Sequence, residues 1–355
     1  MLLTIQTLFN DPDIVSATID RVLQQGLDRI YWQQHLSFRK TTTRVFKDYL
    51  GSVTGVVAGS INKPIGSGYG EIAYLGDKFQ MDVERLSELQ DLIDKYNEAK
   101  TEDQVQALND IIAYIADDYR QIILAPHKRM DIVVGSLLMT GAATVKNKDD
   151  NKGGIDVLDI DLPFHYITPT KDDIFVDSKN MFISWLQQEV LKLAPQFGKF
   201  EKMVMSRGTF AKWIQKSSEF GETFKMTLNN TQYHLAANLM TSDMASSVFT
   251  GIGLPAVDIK EDYVEEQDGT NRQIYADNRI TFLHSDQIGY MRHHTPYEAT
   301  DPVPGRTYNP VSQDNGQMLV TNYRDEKGRY MEYTAEWVPQ ISAPNKLVNV
   351  NLESL

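Results

Sequence analysis

The stretch from Val105 to Leu138 constrains this chain more than any other. Val105, Leu108, Ile111, Ile112, Ile115, Tyr119, Ile122 and Ile123 recur at spacings of three and four, while Asp110, Asp117 and Asp118 fall on other faces. That period is the one by which an α-helix buries a single stripe of side chains. The apolar face resumes at Met130, Val133, Val134, Leu137 and Leu138, before the small residues Gly141, Ala142 and Ala143. Pro126 lies between the halves and has no N–H to give the preceding turn, so the pattern predicts a spine of about 40 residues, kinked or interrupted there.

Upstream, Asp11-Pro12-Asp13 reads as a helix start, with a capping carboxylate and a proline in the first turn. Ile14, Thr18, Ile19, Val22 and Leu23 share one face of that helix, which ends near Gly26. Tyr31-Trp32 then leads into residues 36–46, richer in Lys, Arg and Thr than in core residues. Such an arm has little core of its own and is expected to pack on something else. Residues 47–83 differ: Gly51, Gly55, Gly59, Gly66, Gly68, Gly70 and Gly76 punctuate strand-like pieces at 53–58 and 71–74. Gly66-Ser67-Gly68-Tyr69-Gly70 reads as the tip of an extended two-stranded loop. A phosphate-cradling loop would need a strand before, a helix after, and for a P-loop a Gly-Lys-Ser/Thr end, none of which is present.

Downstream of a helix beginning at Val83 and a break at 99–102, the polar segment 146–154 predicts a turn, and Ile155, Val157 and Ile160 a strand. Helices at 178–193, 209–215 and 242–249 alternate with strands at 202–205, 257–259 and 280–283, the mark of a compact α/β or α+β domain. Residues 296–316, rich in Pro, Gly, Asn and Asp, predict a long surface connection. Met331, Tyr333, Ala335 and Trp337 alternate with Glu332, Thr334 and Glu336, and Val348, Val350 and Leu352 with Asn349 and Asn351, so two strands close the chain. No repeat of 20 to 50 residues is visible, which argues against a solenoid or propeller.

The chemistry that the sequence excludes is broad. Zero cysteines among 355 residues removes disulfides, thiolate metal sites and thiol nucleophiles, and fits a reducing cytosol. A formal net charge of -13 with no Lys/Arg cluster argues against a sequence-reading nucleic-acid binder. An acidic wall suits enclosure of DNA pumped in by a motor; it equally suits plain solubility. No apolar run reaches the roughly 20 residues that cross a bilayer, and Met1 to Phe9 lacks a secretory signal, so a soluble, non-exported chain is expected. Of the seven histidines, His293 and His294 are adjacent and would point to opposite faces of a strand, so no metal site is expected. Asp159 and Asp161 share a strand face and could bind a cation or share a proton, but a solvated face explains them as well. Tyr330, Tyr333 and Trp337 could stack bases; without basic neighbours, core or interface packing is the expectation. Ser67 lacks the frame of a nucleophile elbow. No catalytic residue, cofactor or metal is expected.

Two motifs carry a family resemblance. Tyr275-Ala276-Asp277-Asn278-Arg279-Ile280-Thr281-Phe282-Leu283 resembles the turn-and-strand of the phage major capsid protein E family, the lambda coat protein family, with Ala276 in place of the usual proline. Trp337-Val338-Pro339 followed by Pro344-Asn345-Lys346-Leu347-Val348-Asn349-Val350 is similar to its closing strands. The resemblance implies an α+β, Hong Kong 97-like capsid fold: an N-terminal arm (1–46), an extended β-hairpin loop (47–83), a peripheral domain with the spine helix (84–165 and 317–355), and an axial α/β domain (166–316). It implies the major capsid protein of a tailed double-stranded DNA bacteriophage, building hexamers and pentamers of an icosahedral virion head assembled in the host cytoplasm. Ile14, Ile19 and Trp32 in the arm, with Gly66, Gly68, Tyr69 and Gly70 in the loop, are the expected intersubunit contacts. The expected partners are further copies of the chain, a portal and, because no long helical prefix precedes the arm, a separate scaffolding protein; a decoration protein is a further candidate. DNA would be enclosed without sequence-specific binding. The rival readings are an encapsulin-like compartment, which shares the fold but stores enzyme cargo, and a soluble enzyme using Asp159, Asp161 and the histidines.

Overall fold

The computed structural model describes residues 2–25, 30–41, 45–49, 67–71, 73–145, 158–221, 241–265, 269–311, 317–326 and 328–355. Two short helices, Ile5–Asn10 (α1) and Pro12–Gln24 (α2), open the chain, followed by a 3-10 turn at Tyr31–Gln34. Strands Leu36–Lys40 (β1), Val45–Tyr49 (β2), Ser67–Glu71 (β3) and Ala73–Met81 (β4) lead into helix Val83–Glu98 (α3). The spine, Gln104–Thr140 (α4), runs as one helix of 37 residues through Pro126. The expected interruption is therefore absent. Buried apolar residues on both sides of the proline, Ile122 and Ile123 before it and Met130 and Val133 after it, belong to one core, and their packing outweighs the single missing N–H.

Strands Ala142–Val145 (β5), Leu158–Asp161 (β6) and His165–Ile167 (β7) follow. A second layer then begins with a single helical turn, Lys171–Ile174 (α5), and a small hairpin, Phe175–Val176 (β8) and Lys179–Asn180 (β9). Helix Phe182–Phe197 (α6) therefore starts later than the predicted residue 178, because Asp177 and Ser178 take left-handed φ values in the hairpin turn. Strand Lys202–Ser206 (β10), a helical segment at 207–215, helix Ser242–Gly251 (α7) and strand Ala256–Lys260 (β11) complete most of this layer. Strands Tyr263–Glu265 (β12), Asn271–Gln273 (β13), Arg279–Leu283 (β14) and Gly289–His294 (β15) return the chain to the spine. Thr307–Val311 (β16) interrupts the predicted surface connection, and Met318–Arg324 (β17), Arg329–Ile341 (β18) and Val348–Asn351 (β19) finish the fold.

The larger sheet has the order β1-β15-β18-β17-β16, with β4 also on β18. Because β4 pairs β18 from Arg329 to Trp337 while β17 and β15 pair consecutive parts of it, β4 holds one edge and the other two share the opposite edge end to end. Directly paired residues share a face. Met331, Tyr333, Ala335 and Trp337 thus lie beside Val320, Met291 and Leu75, and this face packs with the spine in the first core. The other face carries Tyr290, Arg292, Tyr323, Tyr330 and Glu332; Arg306, from the β15–β16 connection, stacks on Tyr323 and reaches Glu332 at 3.3 Å. The predicted one-sided alternation of β18 is blurred, since Tyr330, Thr334, Glu336 and Val338 on that second face are buried too.

The two closing strands part company. β19 joins a five-stranded sheet, β11-β10-β14-β19-β7, whose Met203, Met205, Ile280, Phe282, Val348 and Val350 build a second core with α6 and α7. The sheets thus do not divide at 316/317: β15 and β16 belong with the spine's sheet, and β19 does not. On the opposite face of the five-stranded sheet, Val204, Thr281, Asn349 and Tyr166 stand directly opposite one another on successive strands. Three of them receive the end of the spine. A helix leaves its last four carbonyls without intrahelical partners. Here Thr281 Oγ1 donates to Leu138 O at 2.5 Å, Asn349 Nδ2 to Met139 O at 2.7 Å, and Tyr166 Oη to Thr140 O at 2.8 Å. The Leu162 N–H closes the set on Gly141 O at 2.8 Å. Gly141 itself takes φ 69, and a Cβ there would overlap the Tyr166 hydroxyl, so the cap requires glycine.

Asn349 also donates to Thr281 Oγ1 at 2.9 Å. Asn349→Leu strands the buried Met139 carbonyl and is expected to lower stability by about 1–3 kcal/mol, read as a lower denaturation midpoint in urea with the secondary structure unchanged.

Candidate intersubunit surfaces

The arm is folded onto its own chain. Asp11 caps α2 as predicted, its Oδ1 accepting from the Asp13 and Ile14 N–H groups at 3.0 and 3.4 Å. Val15, Ile19 and Val22 are buried in the first core, with Ile14 half-buried against it. Leu8 and Phe9 on α1 join them at 0% exposure, although the sequence pattern marked neither; the available signal was the Thr4–Thr7 capping pair one turn earlier. Asn97 of α3 clamps the start of the arm, accepting from Leu3 N at 2.9 Å and donating to Leu3 O at 2.8 Å.

Trp32 is the arm's deepest anchor, 1% exposed. Its ring lies among Phe38, His127 and Trp337, with centroids 4.9, 5.8 and 6.3 Å away. The indole N–H donates to His127 Nδ1 at 3.3 Å, which requires that nitrogen to be unprotonated. Burial, helped by neighbouring Lys128, pushes the His127 pKa down to about 3, so the ring is neutral and the bond is made. The Trp32 backbone N–H donates to Asp131 Oδ1 at 2.8 Å. Burial pushes that carboxyl up to about 7, against the hydrogen bond from Trp32 and the pull of Lys128, whose Nζ is 3.8 Å away. Ile19 and Trp32, expected to grip neighbours, are therefore committed to this chain's own core, and Ile14 largely so. The physical reason is that the spine and long sheet leave an apolar trough, which an apolar arm segment of the same chain reaches at lower entropic cost than one from another copy.

The loop behaves differently. β1 and β4 both sit in the long sheet, so the excursion between them leaves and rejoins one support. Its described part, β2 paired antiparallel with β3, forms a sheet of two strands separate from the others. Gly68, Tyr69 and Gly70 lie opposite Asp48, Lys47 and Phe46 within this ladder, rather than at a tip. Gly66 and the predicted strand at 53–58 lie outside the described residues. Ile14, Ile19 and Trp32 are thus brought into one core, and Gly68, Tyr69 and Gly70 into the β2–β3 ladder.

The remaining candidates fall into place. On β15, His293 is buried and His294 half-exposed on the opposite face, where its Nδ1 lies 2.8 Å from Glu336 Oε2. Among the described residues no cluster of three or more His, Asp or Glu could hold a metal. Asp159 and Asp161 pair with Thr144 and Ala142 across β5–β6. Tyr330, Tyr333 and Trp337 are buried packing residues. No helix among the described residues is long and apolar enough to cross a membrane.

No family model matches the sequence, and no curated protein matches it. Solved structures do. A protein assigned as a prophage capsid protein of E. coli CFT073 is 12% identical, superposes with a TM-score of 0.55, and the match covers 96% of this chain and 98% of that one. A phage-related protein of Bordetella bronchiseptica RB50 (9% identity, TM-score 0.48, 95% and 96% covered) and the capsid of Myoviridae phage XM1 (10%, 0.41, 92% and 92%) are also similar. On the first of these, the fold is a phage capsid fold of the Hong Kong 97 type, mixed in helix and sheet.

Trp32→Ala is expected to cost about 3–5 kcal/mol, as for large aromatic truncations in cores, and to raise hydrogen exchange across α2. For Asp131 the folded pKa is raised, so the folded state binds the extra proton. Stability from this group is present below the ordinary carboxylate range and is lost as pH rises toward about 7. The stability difference between wild type and Asp131→Asn should therefore shift in favour of the variant between pH 4 and pH 7 (about, from the same linkage), measured by urea titration at each pH.

Proposed function

We propose that this chain is the major capsid protein of a tailed double-stranded DNA bacteriophage, a structural subunit rather than an enzyme. The observation that carries the reading is the correspondence of almost the whole chain, end to end, with the prophage capsid protein of E. coli CFT073. The resemblance of residues 275–283 and 337–350 to the phage major capsid protein E family supports the finer assignment. Within this reading, the core around the spine and long sheet is the peripheral domain, the core around the five-stranded sheet is the axial domain, and the β2–β3 excursion is the extended loop. Gly66, Gly68, Tyr69 and Gly70 remain the proposed intersubunit contacts of that loop. Copies associate into hexamers and pentamers of the virion head, with a scaffolding protein and a portal as partners in the host cytoplasm, and the finished shell encloses DNA without reading its sequence. Each contact can be weak, because several engaged at once raise the effective concentration of the rest.

Overexpression of the chain followed by negative-stain electron microscopy should show capsomers, shells or open capsomer sheets. Deleting residues 60–72 should leave a folded protein that forms none of them. Normal shells from the deletion would refute the role of the loop.

A further inference from the structure

Two features of the described surface are complementary, and neither has an occupant among the described residues. The first is the β8–β9 hairpin. Its base is fixed: Ile174 is fully buried, Asn180 N donates to Ser218 Oγ at 3.1 Å, Ser217 Oγ donates to Asn180 O at 2.9 Å, and Asn180 Oδ1 accepts from Phe182 N at 3.0 Å. Its end instead presents apolar side chains to water, with Phe175 39% and Val176 54% exposed. The turn beyond them, Asp177-Ser178, has φ 49 and 63. Two positive φ values in a two-residue loop normally call for Asn-Gly, so this hairpin holds Asp and Ser against their backbone preference. The Asp177 carboxylate stands at the apex; Lys171, Asp172, Asp173 and Lys179 are the other exposed charges of the segment.

The second feature is an open cavity of about 540 Å³ where β1, β15 and the β18–β19 link meet. Ile288, Leu347, Ala343 and the Tyr290 ring give it mainly apolar walls, with Ser37 and Ser342 among the polar groups. Two arginines, paired with each other across β1 and β15, lie beside its Tyr290 wall. The exposed Arg39 guanidinium lies 4.8 Å from the Tyr290 ring centroid; that of Arg292 lies 5.8 Å away and is held by Gln340 Oε1, and Asp286 is paired with Lys202. Cavities of this size accommodate groups larger than one side chain.

We propose that the Phe175–Asn180 hairpin of one copy seats in this cavity of the next, Phe175 and Val176 entering the apolar part and Asp177 meeting the exposed Arg39 beside it. The proposal rests on the reading of the chain as a shell subunit. Because each copy carries both halves and its own hairpin is pinned to the second core, the contact is head-to-tail. Repetition of such a contact closes a ring where its rotation divides the full circle, as a capsomer requires.

The cysteine-free chain permits a direct test. Val176→Cys combined with Ser342→Cys, oxidised at concentrations where wild type forms capsomers, should give a non-reducing ladder of crosslinked copies, and either single variant no ladder. Charge reversal provides the second arm. Asp177→Arg or Arg39→Asp alone should raise the concentration for half-assembly about tenfold or more, through like charges facing across the contact, while the double variant returns toward wild type; circular dichroism confirms that each is folded. No ladder, or single reversals that assemble like wild type, would overturn the contact while leaving the shell reading intact. A wild type that stays monomeric at every concentration would remove the shell reading and this contact with it.

Discussion

The fold depends on how the far end of the spine helix is received. Its last four carbonyls would be costly to bury unpaired. The chain satisfies them with Thr281, Asn349 and Tyr166, on neighbouring strands of the five-stranded sheet, and with the Leu162 N–H. One row of opposed residues therefore fixes both the position and the tilt of the helix against the second core. The opposite faces of those strands carry Ile280, Phe282, Val348 and Val350 into that core, so the helix end and the core share a wall one sheet thick. Two cores become one frame without a disulfide, which a chain with zero cysteines could not supply.

From that frame follows the division between what is kept and what is offered. The spine and long sheet leave an apolar trough, and the arm fills it. The aromatic group of Trp32, Phe38, His127 and Trp337 is closed off, with a neutral histidine and a buried carboxyl holding the arm's backbone and indole. The paired excursion β2–β3 makes a ladder of its own. The proposed role as a shell subunit needs two properties: a body stiff enough to transmit contacts and segments that make them.

Much of this was legible from residue order. The spine showed itself because its apolar stripe repeats over many turns, and the Asp11-Pro12 start because a capping carboxylate and proline act locally. The Asp277-Asn278 turn was read only through the family resemblance; there Asn278 takes φ 59, a conformation asparagine tolerates, and its side chain accepts from Trp213 and Lys212 at 3.1 and 3.0 Å. Long-range facts were not legible. Asn349 alternates with Val348 and Val350 like any outward polar residue, and nothing nearby in sequence shows that it faces a helix end. Trp32 was read as an intersubunit contact because the arm has little core of its own, whereas its neighbours in space, His127 and Trp337, are distant in the chain. Tyr69 was placed at a tip by its flanking glycines, but glycine also occurs within paired strands, and the register puts it opposite Lys47.

The claim that this chain is built to associate with copies of itself is tested most directly by sedimentation velocity over a wide range of protein concentrations. The account predicts discrete capsomer-sized species growing with concentration and giving way to much faster-sedimenting assemblies. A single boundary at the monomer value throughout the range would contradict it.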